Sequence, residues 1–214
     1  MHREPPNPLH RGDAFRPAAS NRPSCQTLGR MKTIRTLCCI LEPQVEAHAE
    51  EMFTVLSDPA IYEFENVPPP SVERLAAGYR SRESRTSPDG REKWLNWVVR
   101  LTNGEAAGYV QATVLESGAS YVAYEFASKH WRKGIGSASV GAMMEELVES
   151  YGVHTFVAVL KTANYRSLGL LRQLGFRPGT LADAELYEAD QDEAVLLTVV
   201  SGLYVNPRNA GTAA

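Results

Sequence analysis

The sequence predicts a single α/β domain built on a mixed, largely antiparallel sheet. Three observations carry that expectation. At 214 residues the chain has room for one well-buried domain and little room for two. Between residues 94 and 126 three strand-like runs follow one another, separated by the hairpin signal Asn103-Gly104 and by a second turn at Glu116, Ser117 and Gly118. Beyond them helix-like and strand-like runs alternate, which sets α/β units beside the antiparallel part. The expected order is β-αα-βββ-α-β-α-ββ.

Each element follows from local pattern. Residues 33–41 are apolar with β-branched members and suit a first strand. Pro43 opens a helical pattern in which Val45, Ala49, Met52, Phe53 and Leu56 share a face, and Ser57, Asp58 and Pro59 stop it. After Pro68, Pro69 and Pro70, Ser71 caps a second helix carrying Val72, Leu75, Ala76 and Tyr79. Residues 84–90 read as a polar loop, and strands follow at 94–101, 106–115 and 119–126. The next helix carries Val140, Met143, Met144, Leu147, Val148 and Tyr151 on one stripe, which is core packing. Residues 153–160 form a continuous apolar run, the mark of a strand buried on both faces. Asn164 then caps a short helix with Leu168, Leu171 and Leu174 inward, ended by Gly175. Two last strands are expected at 179–188 and 194–204.

Composition narrows the function classes. The hydrophobic and charged fractions, 43% and 22%, are those of a soluble globular protein. A net charge of −3 argues against a broad nucleic-acid-binding surface, and no apolar run approaches a membrane span. Cys25, Cys38 and Cys39 lack metal-ligand spacing and adjacent cysteines rarely bridge, so reduced thiols and a cytoplasmic location are expected. His2, His10, His48, His130 and His154 show no metal spacing either, and no metal is expected. Residues 1–30, with five Pro and five Arg, read as a disordered extension. Residues 31–205 read as the folded domain and 206–214 as a loose polar tail.

The strongest chemical signal is the run Trp131, Arg132, Lys133, Gly134, Ile135, Gly136, Ser137. A glycine-containing loop between a strand and a helix leaves backbone N–H groups unpaired and aimed outward, a cradle for phosphate oxygens. Gly134 and Gly136 let the backbone approach a ligand closely, and Arg132 and Lys133 add positive charge. By itself the loop also fits an ordinary turn with solvated basic residues. Competing phosphate motifs fit worse: Ser139 stands where a dinucleotide fingerprint wants its third glycine, and no P-loop pattern exists.

Three pieces together resemble the GNAT superfamily of acyl-CoA-dependent N-acetyltransferases, and within it the Rim-type branch of ribosomal-protein N-terminal acetyltransferases. They are Leu41-Glu-Pro43 with Leu56-Ser-Asp-Pro59 and Tyr62; Tyr124 with residues 130–136; and Asn164, Ser167, Leu171, Leu174, Gly175 and Phe176. The resemblance spans residues 33–205. Trp131 replaces the superfamily's usual Gln or Arg, a substitution typical of the Rim-type branch.

The resemblance implies acyl transfer from acetyl-CoA directly to a primary amine, a protein N-terminus or a small-molecule amine, in a ternary complex. The pyrophosphate cradle would be Arg132, Lys133, Gly134, Ile135, Gly136 and Ser137. The pantetheine arm would run beside residues 124–128, with backbone amides of Phe126 and Ala127 facing the thioester oxygen. Asn164 would meet the pantetheine and Ser167 the sulfur, as proton donor or anchor; a plain helix cap fits Asn164 equally. Arg166 would reach the nucleotide phosphates or remain a solvated helix residue. The superfamily's tyrosine acid is replaced by Leu171, and Tyr165 is out of register.

Glu125 is the candidate base, since a carboxylate within an apolar strand is costly unless paired or solvated. A salt bridge or an exposed strand face explains it as well. An α-amino group titrates near about 8 and a lysine near about 10.4, so an N-terminal acceptor demands less of a base. Tyr62, Glu63 and Glu65 form either an acidic, aromatic mouth or a solvated loop. Besides an active enzyme, a noncatalytic acyl-CoA-binding module of the same fold stays open. A monomer or homodimer, without nucleic acid or membrane as partner, is expected.

Overall fold

The computed structural model describes residues 31–200. The chain opens with a hairpin rather than one strand: β1 (Ile34–Arg35) pairs antiparallel with β2 (Cys39–Pro43). Thr36 makes the turn. Its hydroxyl donates to the Cys39 carbonyl at 2.9 Å and accepts from the Cys39 N–H at 3.0 Å, closing the backbone on itself. The pattern that Pro43 opens becomes a short 3-10 turn, Glu46–His48, and then α1 (Ala49–Leu56). Asp58 and Pro59 stop α1, as a residue before proline disfavours helix. In α2 (Val72–Arg82) the Ser71 side chain accepts from the Arg74 N–H, the expected cap.

The expected three-strand meander is present as β3 (Lys93–Leu101), β4 (Ala106–Val114) and β5 (Ala119–Phe126). Then come α3 (Ile135–Tyr151), β6 (Thr155–Lys161) and α4 (Tyr165–Gln173). One expected strand is corrected. Of residues 179–188, Leu181–Leu186 form a short helix, α5, because Thr180 and Asp183 make a reciprocal capping box. The strand before it, β7, is only Arg177–Pro178, and β8 is Glu193–Val199. The part of the last expected strand beyond residue 200 lies outside the described residues.

The eight strands form one sheet in the order β1-β2-β3-β4-β5-β6-β8-β7. Alternation sends the side chains of β3 to two cores. Trp97 and Val99 join Met143 and Leu147 of α3, whereas Val98 packs with Met52 and Leu56 of α1 and Tyr79 of α2. Burying one such Leu or Met side chain contributes about 1.5–3 kcal/mol. Helices thus cover both faces of the sheet.

Two irregularities shape its middle. The β3–β4 register slips between Val99 and Arg100, whose partners are Gly108 and Ala106, so Ala107 is an extra residue bulged on β4. Among the described residues the one parallel pairing, β5 with β6, lasts three residue pairs and stops at Tyr121 and Val157. Beyond that point β5 stays with β4 and β6 with β8, and the two strands part.

Candidate active site

The parting of β5 and β6 opens a cavity of about 750 Å³. Its walls are the end of β5, the middle of β6, the start of α3 and the first turns of α4. The sequence-predicted residues Glu125, Phe126, Arg132, Gly134, Gly136, Ser137, Asn164 and Ser167 all line it. Lys133 is exposed and lies off the wall; Ile135 turns its side chain into the core and can offer only its backbone.

At one end lies the N-terminus of α3. Arg132 and Gly134 both adopt left-handed backbone, at φ 60° and 78°. For glycine that is free of steric penalty; for arginine it is uncommon. The first intrahelical bond runs from the Ala138 N–H to the Gly134 carbonyl, no side chain caps the helix, and its first turn holds no acidic residue. Hence the N–H groups of Ile135, Gly136 and Ser137 lack intrahelical acceptors, and the 17-residue helix adds its positive dipole end. Such an arrangement takes an anion. The Ser137 hydroxyl donates to the Gln173 Oε1 at 3.1 Å, so α4 is tied to the cradle through a glutamine that the sequence pattern had not singled out.

The end of β5 is held on both edges. The Ala127 N–H is committed to the Ala107 carbonyl at 3.0 Å, so it is not free to meet a thioester oxygen as expected. A Cβ placed on Gly108 would lie 2.0 Å from the Glu125 carbonyl oxygen, so that carbonyl also turns toward β4. Backbone polarity alternates along a strand, which aims the N–H and carbonyl of Phe126 the other way, into the gap. The Phe126 carbonyl is taken by the Trp131 indole N–H at 2.7 Å. Phe126 is left as the backbone donor at this place.

Glu125 stands across from Tyr109 on β4. The Asn66 amide donates to its Oε1 at 3.1 Å. Burial pushes the Glu125 carboxyl up, bonding to Asn66 and Tyr109 draws it partly back, and the nearby charge of Glu65 raises it again. A carboxylate so placed is a stronger base than an exposed one. On the opposite face of the strand the Tyr124 hydroxyl donates to the Ser167 carbonyl at 3.4 Å, and burial raises its pKa above the ordinary phenol range. This puts a phenol beside Ser167, a feature legible only as strand alternation in the sequence. Leu171, in the superfamily's tyrosine position, is 1% exposed core, and Tyr165 is 61% exposed.

Asn164 proves to be a helix cap and more. Its Oδ1 accepts from the Ser167 N–H at 3.1 Å, and its Nδ2 donates to Glu65 Oε1 at 3.1 Å. Burial pushes the Glu65 carboxyl up, and Asn164 lowers it in part. The expected mouth residues are therefore engaged rather than free. Glu63 pairs with Arg166 at 2.6 Å, and the Tyr62 hydroxyl donates to the Leu56 carbonyl at 2.8 Å. Arg166 lies over the rings of Trp131, Phe64 and Tyr165, at 4.6, 5.3 and 5.1 Å from their centroids. Upstream, Asp58 Oδ2 accepts from the Ser128 N–H at 2.6 Å. Burial works against its charge, but the bonds from Ser128 and Ala60 prevail and hold its carboxyl below the usual range.

An uncapped helix N-terminus, a gap between two parting parallel strands and a half-buried carboxylate beside that gap are features that fit an acyl-CoA-dependent acetyltransferase. A family model described as the acetyltransferase (GNAT) domain matches residues 39–177, well over half of the chain, and the chain belongs to that family. A comparison with curated proteins finds no match. Among solved structures, one similar chain is RimL, a ribosomal L7/L12 alpha-N-protein acetyltransferase in complex with coenzyme A. It is 17% identical, with 79% of this chain and 98% of that chain covered and a TM-score of 0.66. The ribosomal-protein-S5-alanine acetyltransferase from Vibrio fischeri is 16% identical, with 79% and 97% covered and a TM-score of 0.65. The microcin C7 self immunity acetyltransferase MccE, solved with acetyl-CoA and AMP, is 17% identical, with 77% and 94% covered and a TM-score of 0.65. At these identities the likeness is one of fold, and it matches the Rim-type resemblance seen in the sequence. Among the described residues no helix is long and apolar enough to cross a membrane.

Proposed function

We propose that this acetyltransferase passes the acetyl group of acetyl-CoA directly to a primary amine, a protein N-terminus or a small-molecule amine, within a ternary complex. The observation that carries the reading is that Glu125 and the uncapped α3 N-terminus line one and the same cavity. Donor and acceptor sites then meet beside Phe126.

The cradle is formed by the backbone of Arg132, Lys133, Gly134, Ile135, Gly136 and Ser137, with the Arg132 and Lys133 side chains adding positive charge. An extended pantetheine arm fits between β5 and β6 as a strand-like insert, with Asn164 and Ser167 along its flank. The amine nitrogen attacks the thioester carbonyl carbon and gives a proton to Glu125, directly or through water. The Phe126 N–H faces the negative charge that develops on the carbonyl oxygen. As the new C–N bond forms the C–S bond breaks, and the thiolate takes a proton from solvent, directly or relayed by the Ser167 hydroxyl as it regains one from water, with the Tyr124 phenol beside it. Glu125 returns its proton to solvent. No covalent acyl-enzyme is needed, which fits the position of Cys39, buried against Ser139 and away from the cavity.

The catalytic domain is assigned to residues 31–205, with 1–30 and 206–214 as appendages. Unpaired Cys38 and Cys39 support a cytoplasmic setting, and a monomer or homodimer is expected. Thiol release from acetyl-CoA, followed over a panel of N-terminal peptides, polyamines and amino sugars, tests the proposal. Acetylated product from at least one primary amine is expected. Absence of thermal stabilisation by saturating acetyl-CoA would sink it, because a ligand that binds only the folded state must raise the melting temperature.

A further inference from the structure

Four consecutive residues of the α1–α2 connection each bind a different residue of the cavity wall. Glu63 pairs with Arg166, and the Phe64 ring meets the Tyr165 ring edge to face at 5.7 Å. Glu65 accepts from Asn164, and Asn66 donates to Glu125. Asn66 does so from a left-handed backbone, φ 66°, a conformation that asparagine tolerates better than most residues. Residues 63–66 thus span the cavity mouth from the α4 side to the β5 side.

Arg166 extends this connection to the donor end. Its guanidinium is ion-paired to Glu63 and stacked 4.6 Å from the Trp131 ring centroid. The Trp131 indole in turn holds the Phe126 carbonyl at 2.7 Å. A planar guanidinium can pair with a carboxylate at its edge and lie on an aromatic ring with its face at the same time; an ammonium cannot. One unbroken series of contacts therefore runs from Glu63 through Arg166 and Trp131 to the end of β5, next to Glu125.

We propose that Glu63, Arg166 and Trp131 are positioning residues that couple the acceptor mouth to the acetyl-CoA cradle, with Arg166 acting through Trp131 rather than by contact with the phosphates. This rests on the acetyl-CoA reading above and adds a linkage between its two half-sites. If the contacts from Glu63 to Trp131 act as one unit, loosening the mouth at Glu63 weakens acetyl-CoA binding at a loop Glu63 does not touch.

Calorimetric titration of acetyl-CoA into the full chain tests this with the variants Glu63→Gln, Arg166→Gln and the double variant, and with Arg166→Lys. Glu63→Gln and Arg166→Gln should each raise the Kd for acetyl-CoA about fivefold, and the double variant no more than the larger single effect, as for residues in one network. Arg166→Lys should not restore wild-type binding. Trp131→Phe keeps a ring under Arg166 but removes the indole donor, and it should lower kcat more than it changes the Kd. Glu63 is a half-exposed surface residue, so Glu63→Gln keeps the test alive if a variant at Arg166 fails to fold. A Glu63→Gln Kd within twofold of wild type, or tighter, overturns the proposal. Tighter binding is what an arginine freed to reach the phosphates would give. If the wild-type chain itself binds no acetyl-CoA, the functional reading fails first and the coupling falls with it.

Discussion

Gly108 and Phe126 stand opposite each other on β4 and β5, and there is no space between them for a side chain. A Cβ on Gly108 would lie 2.0 Å from the Glu125 carbonyl oxygen and 2.8 Å from Phe126. Both neighbours carry backbone that cannot swing aside. The bulge at Ala107 and the glycine after it therefore set where β5 ends, and with it the positions of Glu125 and the Phe126 amide.

Gly108→Ala should lower stability by about 1–3 kcal/mol, the usual effect of overpacking. Denaturant midpoints measure this. Turnover, assayed well below the melting temperature, should fall further than the lost folded fraction explains, since β5 must shift at the reacting end.

Glu125→Gln should lower kcat by about 100-fold, the lower range for loss of a general base. The wild-type acidic limb of kcat/KM should lie above the ordinary carboxylate range, because burial raises the pKa of Glu125. In the variant that limb should vanish while the acetyl-CoA Kd is kept. Unchanged turnover would remove Glu125 from the mechanism.

The same substitution has a stability signature of opposite sense. The Glu125 pKa is higher folded than unfolded, so over the interval between the two values the native state holds more protons than the unfolded one. Stability then falls as pH rises through that interval, and ionised Glu125 is a penalty at neutral pH. Glu125→Gln should be more stable than wild type at pH 7, and the advantage should disappear below the unfolded carboxylate pKa of about 4.3. Thermal melts across pH measure it.

Replacing Gly134 by Val should abolish acetyl-CoA binding with a modest loss of stability. A Cβ at Gly134 meets nothing within 4 Å, so the packing penalty is absent and the strain comes from the left-handed backbone. Gly136→Val should behave differently. A Cβ there meets Leu170 at 2.6 Å, so that variant should also lower the melting temperature by disturbing the contact of α3 with α4.

Asn164→Ala removes the cap on the Ser167 N–H and the donor to Glu65 at once. A loss of about 1 kcal/mol is expected from the cap alone. Freed of Asn164, Glu65 should titrate higher still, since that bond lowers its pKa. A carboxyl-specific infrared or NMR titration reads the change.

Much of this architecture is readable in the chain because local chemistry and tertiary need agree. Ser71 and Asn164 cap where capping residues are expected, and Gly134 takes the left-handed turn that a strand-to-helix cradle uses. Where they disagree the pattern misleads. Residues 179–188 have strand-like stretches, yet Thr180 and Asp183 satisfy each other's backbone and start a helix. Thr36 splits the first apolar run into a hairpin through one hydroxyl. Part of the cavity wall is visible in the sequence, where Glu63 and Glu65 read as a mouth or a solvated loop, but their partners are not. Residues 63–66 have no periodicity, and their meaning lies in partners about 60 to 100 positions away, which no local window contains. Trp131 looks like a branch-typical substitution until its indole is seen to hold the Phe126 carbonyl.

The three-pair ladder between β5 and β6 leaves this sheet unfinished at its centre instead of at its rim. An open rim invites a second copy of the chain to add itself, which is how sheets aggregate. Here the gap has a strand on each side and residues 63–66 across its mouth, a shape that the proposed pantetheine arm would fit. On the proposed reading the co-substrate would complete the pairing when it binds, and release of coenzyme A would reopen it.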